Sequence, residues 1–139
     1  MPTPVESAEL CLKLYELRRE PLLREARKWW VAEFTPETFE EMVEIISGEK
    51  NAFYRMVAGY WDMAASFVTL GAIDPEMFRA SNGEIFVTVA KVQPFLPQLR
   101  ERLGFPDFFG HAERFVMSSA GGPERIKRQR EQAIARKKK

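Results

Sequence analysis

Residues 51–71 read NAFYRMVAGYWDMAASFVTLG, and Phe53, Met56, Val57, Tyr60, Trp61, Ala64, Phe67 and Val68 recur at the three-and-four spacing of one helical face. The reverse side carries Ala58, Gly59, Asp62, Ala65, Ser66 and Thr69, residues short enough for another backbone to approach closely. A helix that is apolar on one side and small on the other is expected to be covered on both. The sequence therefore predicts an all-α, single-domain bundle of about five to seven helices, with its central helix near residues 51–70.

Upstream, residues 5–19 place Ala8, Cys11, Leu12 and Tyr15 on one stripe with Leu14 and Leu17 beside it. Glu6 and Glu9 sit in the first turn, where the helix dipole favours anions. Pro21 must end that helix or open a new one, since it lacks an amide donor. The apolar stripe resumes as Leu22, Leu23, Ala26, Trp29, Trp30 and Phe34. Thr35-Pro36-Glu37 has the cap, proline and acid order of a helix start, and Gly48 is placed to stop that helix.

Downstream, Asp74-Pro75-Glu76 repeats the start signature, and Ser81-Asn82-Gly83 breaks the short helix that follows. The run at 85–89, IFVTV, has strand composition. Ile85, Phe86, Val89, Val92, Leu96, Leu99 and Leu103 nevertheless keep a helical period, and no second strand is evident to pair with it. Helix is the reading adopted, bent or restarted at Pro94 and Pro97. A further helix is expected to begin within Phe105-Pro106-Asp107-Phe108-Phe109, and residues 118–122 form a joint. The domain is accordingly set at 1–120, followed by a basic tail at 121–139, partly helical or flexible. Ile126 and Ile134 are its only large apolar residues, so fraying is expected.

A chain of 139 residues can bury about two-thirds of its unfolded surface in one core. With 45% hydrophobic and 29% charged residues it is not of disordered composition. The single Cys11 cannot form an intramolecular disulfide and reads as a buried inert thiol rather than a nucleophile. MPTPVESAEL at the start has neither a basic n-region nor an apolar h-region, and no apolar run is long enough to span a membrane, so a cytoplasmic setting is expected. The net charge of +1 hides an asymmetry. Residues 123–139 carry eight Lys or Arg against two Glu, while residues 33–49 carry six Glu and no basic residue. This acidic band is suited to meet a basic partner or the tail itself.

Catalytic signatures are lacking. Ser119-Ala120-Gly121-Gly122 has no Lys-Ser/Thr after it, and there is no HExxH, CxxC or GxSxG. His111, the only histidine, reads as a satisfied surface side chain, and no metal or other cofactor is expected. Asp62 is the buried polar candidate: set in an apolar helix it needs a partner, with Arg27 and Arg100 as the expected donors. Trp29, Trp30, Trp61, Phe105, Phe108, Phe109 and Phe115 read as core rather than as a ligand pocket. Arg125, Lys127, Arg128, Arg130, Arg136, Lys137, Lys138 and Lys139 give the tail the electrostatics to contact nucleic acid or anionic membrane, without an aromatic residue to stack on a base.

Residues 51–102, with the aromatic-rich helix, Gly71-Ala72-Ile73-Asp74-Pro75, Ile85-Phe86 and Pro97-Gln98-Leu99-Arg100, resemble small all-helical bacterial domains of unknown function. The resemblance implies a helical fold and a bacterial cytoplasmic setting and supplies no site residues. The expectation is a non-enzymatic module for protein interaction or self-association, with a protein partner or a second copy. The alternative is electrostatic binding to nucleic acid or anionic membrane through the tail, and a third reading is an enzyme or small-ligand binder with Asp62 and nearby aromatic residues at its site.

Overall fold

The structure, a computed structural model, describes residues 1–139 and contains only helices and their connections. In chain order these are α1 (Pro4–Arg18), α2 (Pro21–Ala32), α3 (Phe39–Ile46), α4 (Asn51–Thr69), α5 (Pro75–Ser81) and α6 (Glu84–Val92). A 3-10 turn (Gln93–Phe95) leads into α7 (Leu96–Leu103), then α8 (Gly110–Ser118) and α9 (Gly122–Lys137). The expected all-α class is the one found. Nine α-helices replace the expected five to seven because Pro21 and Pro97 each restart a helix and the last segment is helical throughout.

Start signals explain most boundaries. Thr3 and Glu6 form a reciprocal capping box at α1, Glu20 caps α2 with Pro21 in its first turn, and Asp74 accepts from the Met77 amide ahead of Pro75. One start lies elsewhere than expected. α3 begins at Phe39 with Thr38 as its cap, whereas Thr35 is buried with its hydroxyl bonded to Lys91. With its hydroxyl turned inward to Lys91, Thr35 leaves the capping of α3 to Thr38, whose hydroxyl accepts from the Glu41 amide.

α4 is the middle layer. It packs against α2 on one side and α8 on the other. Val57, Tyr60, Trp61, Ala64 and Val68 are buried from the expected apolar face, and Ala58 and Ala65 from the small-residue face. Tyr54, outside the expected stripe, is also buried, its ring stacked on Trp30 with centroids 5.7 Å apart. Around this centre Trp29 stacks on Phe34 and Phe78 meets Phe115 edge-on.

Three expectations need correction. On α1 the buried positions are Ser7, Leu14 and Arg18, so the face predicted from Leu12 and Tyr15 points outward. Apolar residues lie all round this helix, and polar contacts choose its orientation: the Ser7 hydroxyl accepts from the Asp74 amide, and Arg18 donates to Asn82. Residues 105–109 are a turn rather than a helix start, with Phe109 in the left-handed region at φ 56° before α8 begins at Gly110. The tail is helical from Gly122 to Lys137. α9 packs along α6, burying Ile126 and Ala133.

Candidate functional site

Asp62 projects from the small-residue side of α4, half-buried, toward the start of α8. Its Oδ1 accepts the Ala112 amide at 3.0 Å. The N–H groups in the first turn of a helix lack partners from its own preceding turn, and the position before α8 is Phe109, which has no side chain able to cap. Asp62 therefore acts as a cap supplied by another helix, and its charge lies at the positive end of the α8 dipole. Neither expected arginine is its partner. Arg27 is bidentate to Glu84, at 2.7 and 3.1 Å, and Arg100 bonds Glu113 at 2.8 Å.

Beside Asp62 a cleft of about 400 Å³ opens between α4 and the turn at 105–109. Its walls include Tyr54, Met63, Phe105, Phe108 and Phe109, with Gly59 between them and Arg55 at the other end. Arg100 fixes the far wall, its Nε donating to the Phe108 carbonyl at 2.9 Å. His111 is bonded through Nδ1 to the Thr69 hydroxyl, the satisfied role expected of it. Several aromatic residues assigned to core, Phe105 above all, in fact border this cleft.

The tail residues divide. Arg125 lies over the Phe86 ring at 4.0 Å, and Arg130 donates to the carbonyls of Lys91 and Pro36 at 3.2 and 3.0 Å. Lys137 pairs with Glu41 at 2.7 Å and Glu37 at 3.2 Å and donates to the Thr35 carbonyl, while Lys138 stands 4.0 Å from Glu37. The acidic band thus meets the tail within the molecule. The Lys137 ammonium beside Glu41 holds that carboxyl below its ordinary range, and Glu41 in turn holds Lys137 above its own. Lys127, Arg128, Arg136 and Lys139 are exposed.

Two buried cations escaped the sequence reading. Lys91, 1% exposed, directs its ammonium at the carbonyls of Trp30, Val31 and Phe34 and at the Thr35 hydroxyl. It closes the C-terminal end of α2, where the dipole favours a cation. Burial, then the charges of Arg136 and Arg130, pull it down to about 8. Arg18 donates to Asn82, to the Ser81 carbonyl and to the Tyr60 hydroxyl, between the rings of Tyr15 and Trp61. A lone lysine in VTVAKV was the available signal for Lys91; Arg18 offered none.

On the outside, Val5, Leu12 and Tyr15 of α1 are 66%, 66% and 53% exposed, with Leu17 and Leu22 exposed nearby. No helix is long and apolar enough to cross a membrane, and no three His, Cys, Asp or Glu side chains converge as metal ligands. Against known proteins, a family model described as a domain of unknown function, DUF4760, matches residues 3–119. That span takes in α1 through α7 and all of α8, and ends ahead of α9. No curated protein and no solved structure matches.

Proposed function

The chain belongs to the DUF4760 family of domains of unknown function, and we propose that it is a non-catalytic helical module that associates with a protein partner or a second copy through the outer face of α1. The observation that carries this reading is the seam of exposed Val5, Leu12 and Tyr15 with half-buried Ala8 between them. Its three-four-three spacing is that of a helix-pairing stripe, and Leu12 stands at its middle. Large apolar side chains concentrated on one helix, with the opposite side already packed on α5, are more than scattered surface residues. A second copy satisfies the seam without further assumptions, since pairing about a twofold axis near Leu12 sets like surface on like.

Sedimentation equilibrium over a wide concentration range tests it. Concentration-dependent association that Leu12→Glu combined with Tyr15→Glu abolishes supports the reading. A strict monomer at several hundred micromolar that also retains no partner on affinity purification overturns it.

The alternative, electrostatic binding to nucleic acid or an anionic membrane, is favoured by the exposure of Lys127, Arg128, Arg136, Lys138 and Lys139 along α9 and its end. It ranks second because Arg125, Arg130 and Lys137 are engaged inside the molecule. Replacing Lys127 and Arg128 with glutamate should reduce salt-sensitive retention on nucleic acid or anionic vesicles; unchanged retention removes this alternative.

A further inference from the structure

We propose that the cleft between α4 and the turn at 105–109 is a binding site for a small organic cation, an alkyl- or arylammonium with an apolar body, and that Asp62 is its counter-ion. The inference is independent of the α1 seam.

Features unfavourable to folding alone converge on this cleft. Gly59 stands in mid-helix, exposed, where a Cβ would meet nothing within 4 Å, so no packing demand explains the glycine. The Tyr54 hydroxyl is buried without a hydrogen-bond partner. Phe109, the only non-glycine residue at positive φ, holds a strained backbone in the wall. Phe105 and Met63 remain 53% and 38% exposed at the rim. Places where a sequence breaks local folding rules together are where function is to be sought.

Charge selects the ligand class. Asp62 has given only Oδ1 to the fold, in the bond from Ala112; no protein donor bonds Oδ2. A half-buried carboxylate beside aromatic faces attracts an ammonium twice, by ion pairing and through the ring quadrupoles. Arg55 lies two helical turns from Asp62, its Cα roughly 10 Å away along the axis, and forms no ion pair with it. The Asp62 carboxylate is therefore not neutralised by a salt bridge within the cleft. The volume of about 400 Å³ is in the range of small-molecule sites, and the Arg100 bond to the Phe108 carbonyl holds the far wall ready.

The test titrates the full chain, labelled with 15N, with benzyltrimethylammonium and separately with the neutral benzyl alcohol, following amide shifts. Saturable shifts at Gly59, Asp62, Met63, Phe105 and 107–112 with the ammonium, at least tenfold tighter than with the alcohol, are expected. Asp62→Asn keeps an oxygen for the Ala112 amide and should weaken the ammonium at least tenfold. Gly59→Met, which places a side chain in open space at the cleft, should abolish binding without loss of melting temperature. No saturation by the ammonium, equal affinity for the alcohol, or ammonium affinity unchanged in both variants overturns the proposal.

Discussion

Lys91 holds its ammonium 2.7 Å from the carbonyl oxygen of Phe34, across 57 residues of sequence, and no carboxylate is bonded to it. Backbone oxygens at the end of α2 and the Thr35 hydroxyl satisfy the charge instead. The same contact occupies the residues that would otherwise open α3 and anchors α6 beneath the 34–36 linker. Arg130 of α9 then bonds the Lys91 and Pro36 carbonyls, so α2, α6 and α9 share one polar junction.

This junction makes stability depend on alkaline pH. In the unfolded chain a lysine titrates near 10.5; in the fold, burial foremost and Arg136 and Arg130 next bring Lys91 to about 8. Between those values the unfolded chain binds more protons, so stability rises with pH, by on the order of 2 kcal/mol from pH 8 to 10. Above about 10 the sign turns: burial raises the Tyr54 hydroxyl above its ordinary value, so ionisation favours the unfolded chain. Lys91→Met should abolish the rise and, by leaving carbonyls unpartnered, cost about 1–3 kcal/mol at pH 7. Urea denaturation at pH 7, 8, 9 and 10 for both chains checks this; equal pH slopes would refute it.

Asp62→Ala should destabilise the fold by about 1 kcal/mol through loss of the α8 cap, and Asp62→Asn by only a few tenths, since an amide oxygen caps as well as a carboxylate. Chemical denaturation gives the totals. Hydrogen exchange locates them: the alanine chain should lose protection in the first turn of α8 and leave α2 unchanged.

How much of this was legible follows from where each determinant sits. α4 was legible because its apolar and small positions alternate with helical period through Asn51–Thr69, and Asp74-Pro75 because a cap and a proline act within four residues. The face of α1 was not, because Val5, Leu10, Leu12, Leu14, Tyr15 and Leu17 leave no unique stripe, and Arg18 and Ser7 decide it through partners more than sixty residues away. Asp62, expected buried, is half-buried, and side-chain donors were sought where the donor is a backbone amide. The 105–109 turn lacked a glycine to announce its left-handed residue, since Phe109 takes that role.

Two glycines should respond oppositely to alanine. At Gly122 a Cβ would stand 1.9 Å from the Val116 carbonyl oxygen, a backbone atom that cannot yield without shifting the end of α8 or the start of α9. Gly122→Ala should cost more than about 2 kcal/mol and raise protease sensitivity at the joint. At Gly59 nothing obstructs a Cβ, and Gly59→Ala should stabilise by up to about 1 kcal/mol. Melting temperatures moving in the same direction would contradict this assignment.

The bridge from Lys137 to Glu37 and Glu41 should fasten the last turns of α9 without much affecting global stability. All three side chains are more than a third exposed, so screening limits the pairs to about 1 kcal/mol or less. Lys137→Ala should therefore speed amide exchange over residues 133–138 and leave the region of buried Ile126 protected. Raising salt to 1 M, where the screening length shrinks to ~3 Å, should move the parent chain toward the variant. Glu41 is held below its ordinary 4.5 chiefly by the Lys137 hydrogen bond, so its contribution is whole above that value and lost as pH falls through the lowered one. Exchange of the α9 end that is insensitive to both salt and Lys137→Ala would show that Arg130 and Ala133 hold this helix and that the surface bridge does not.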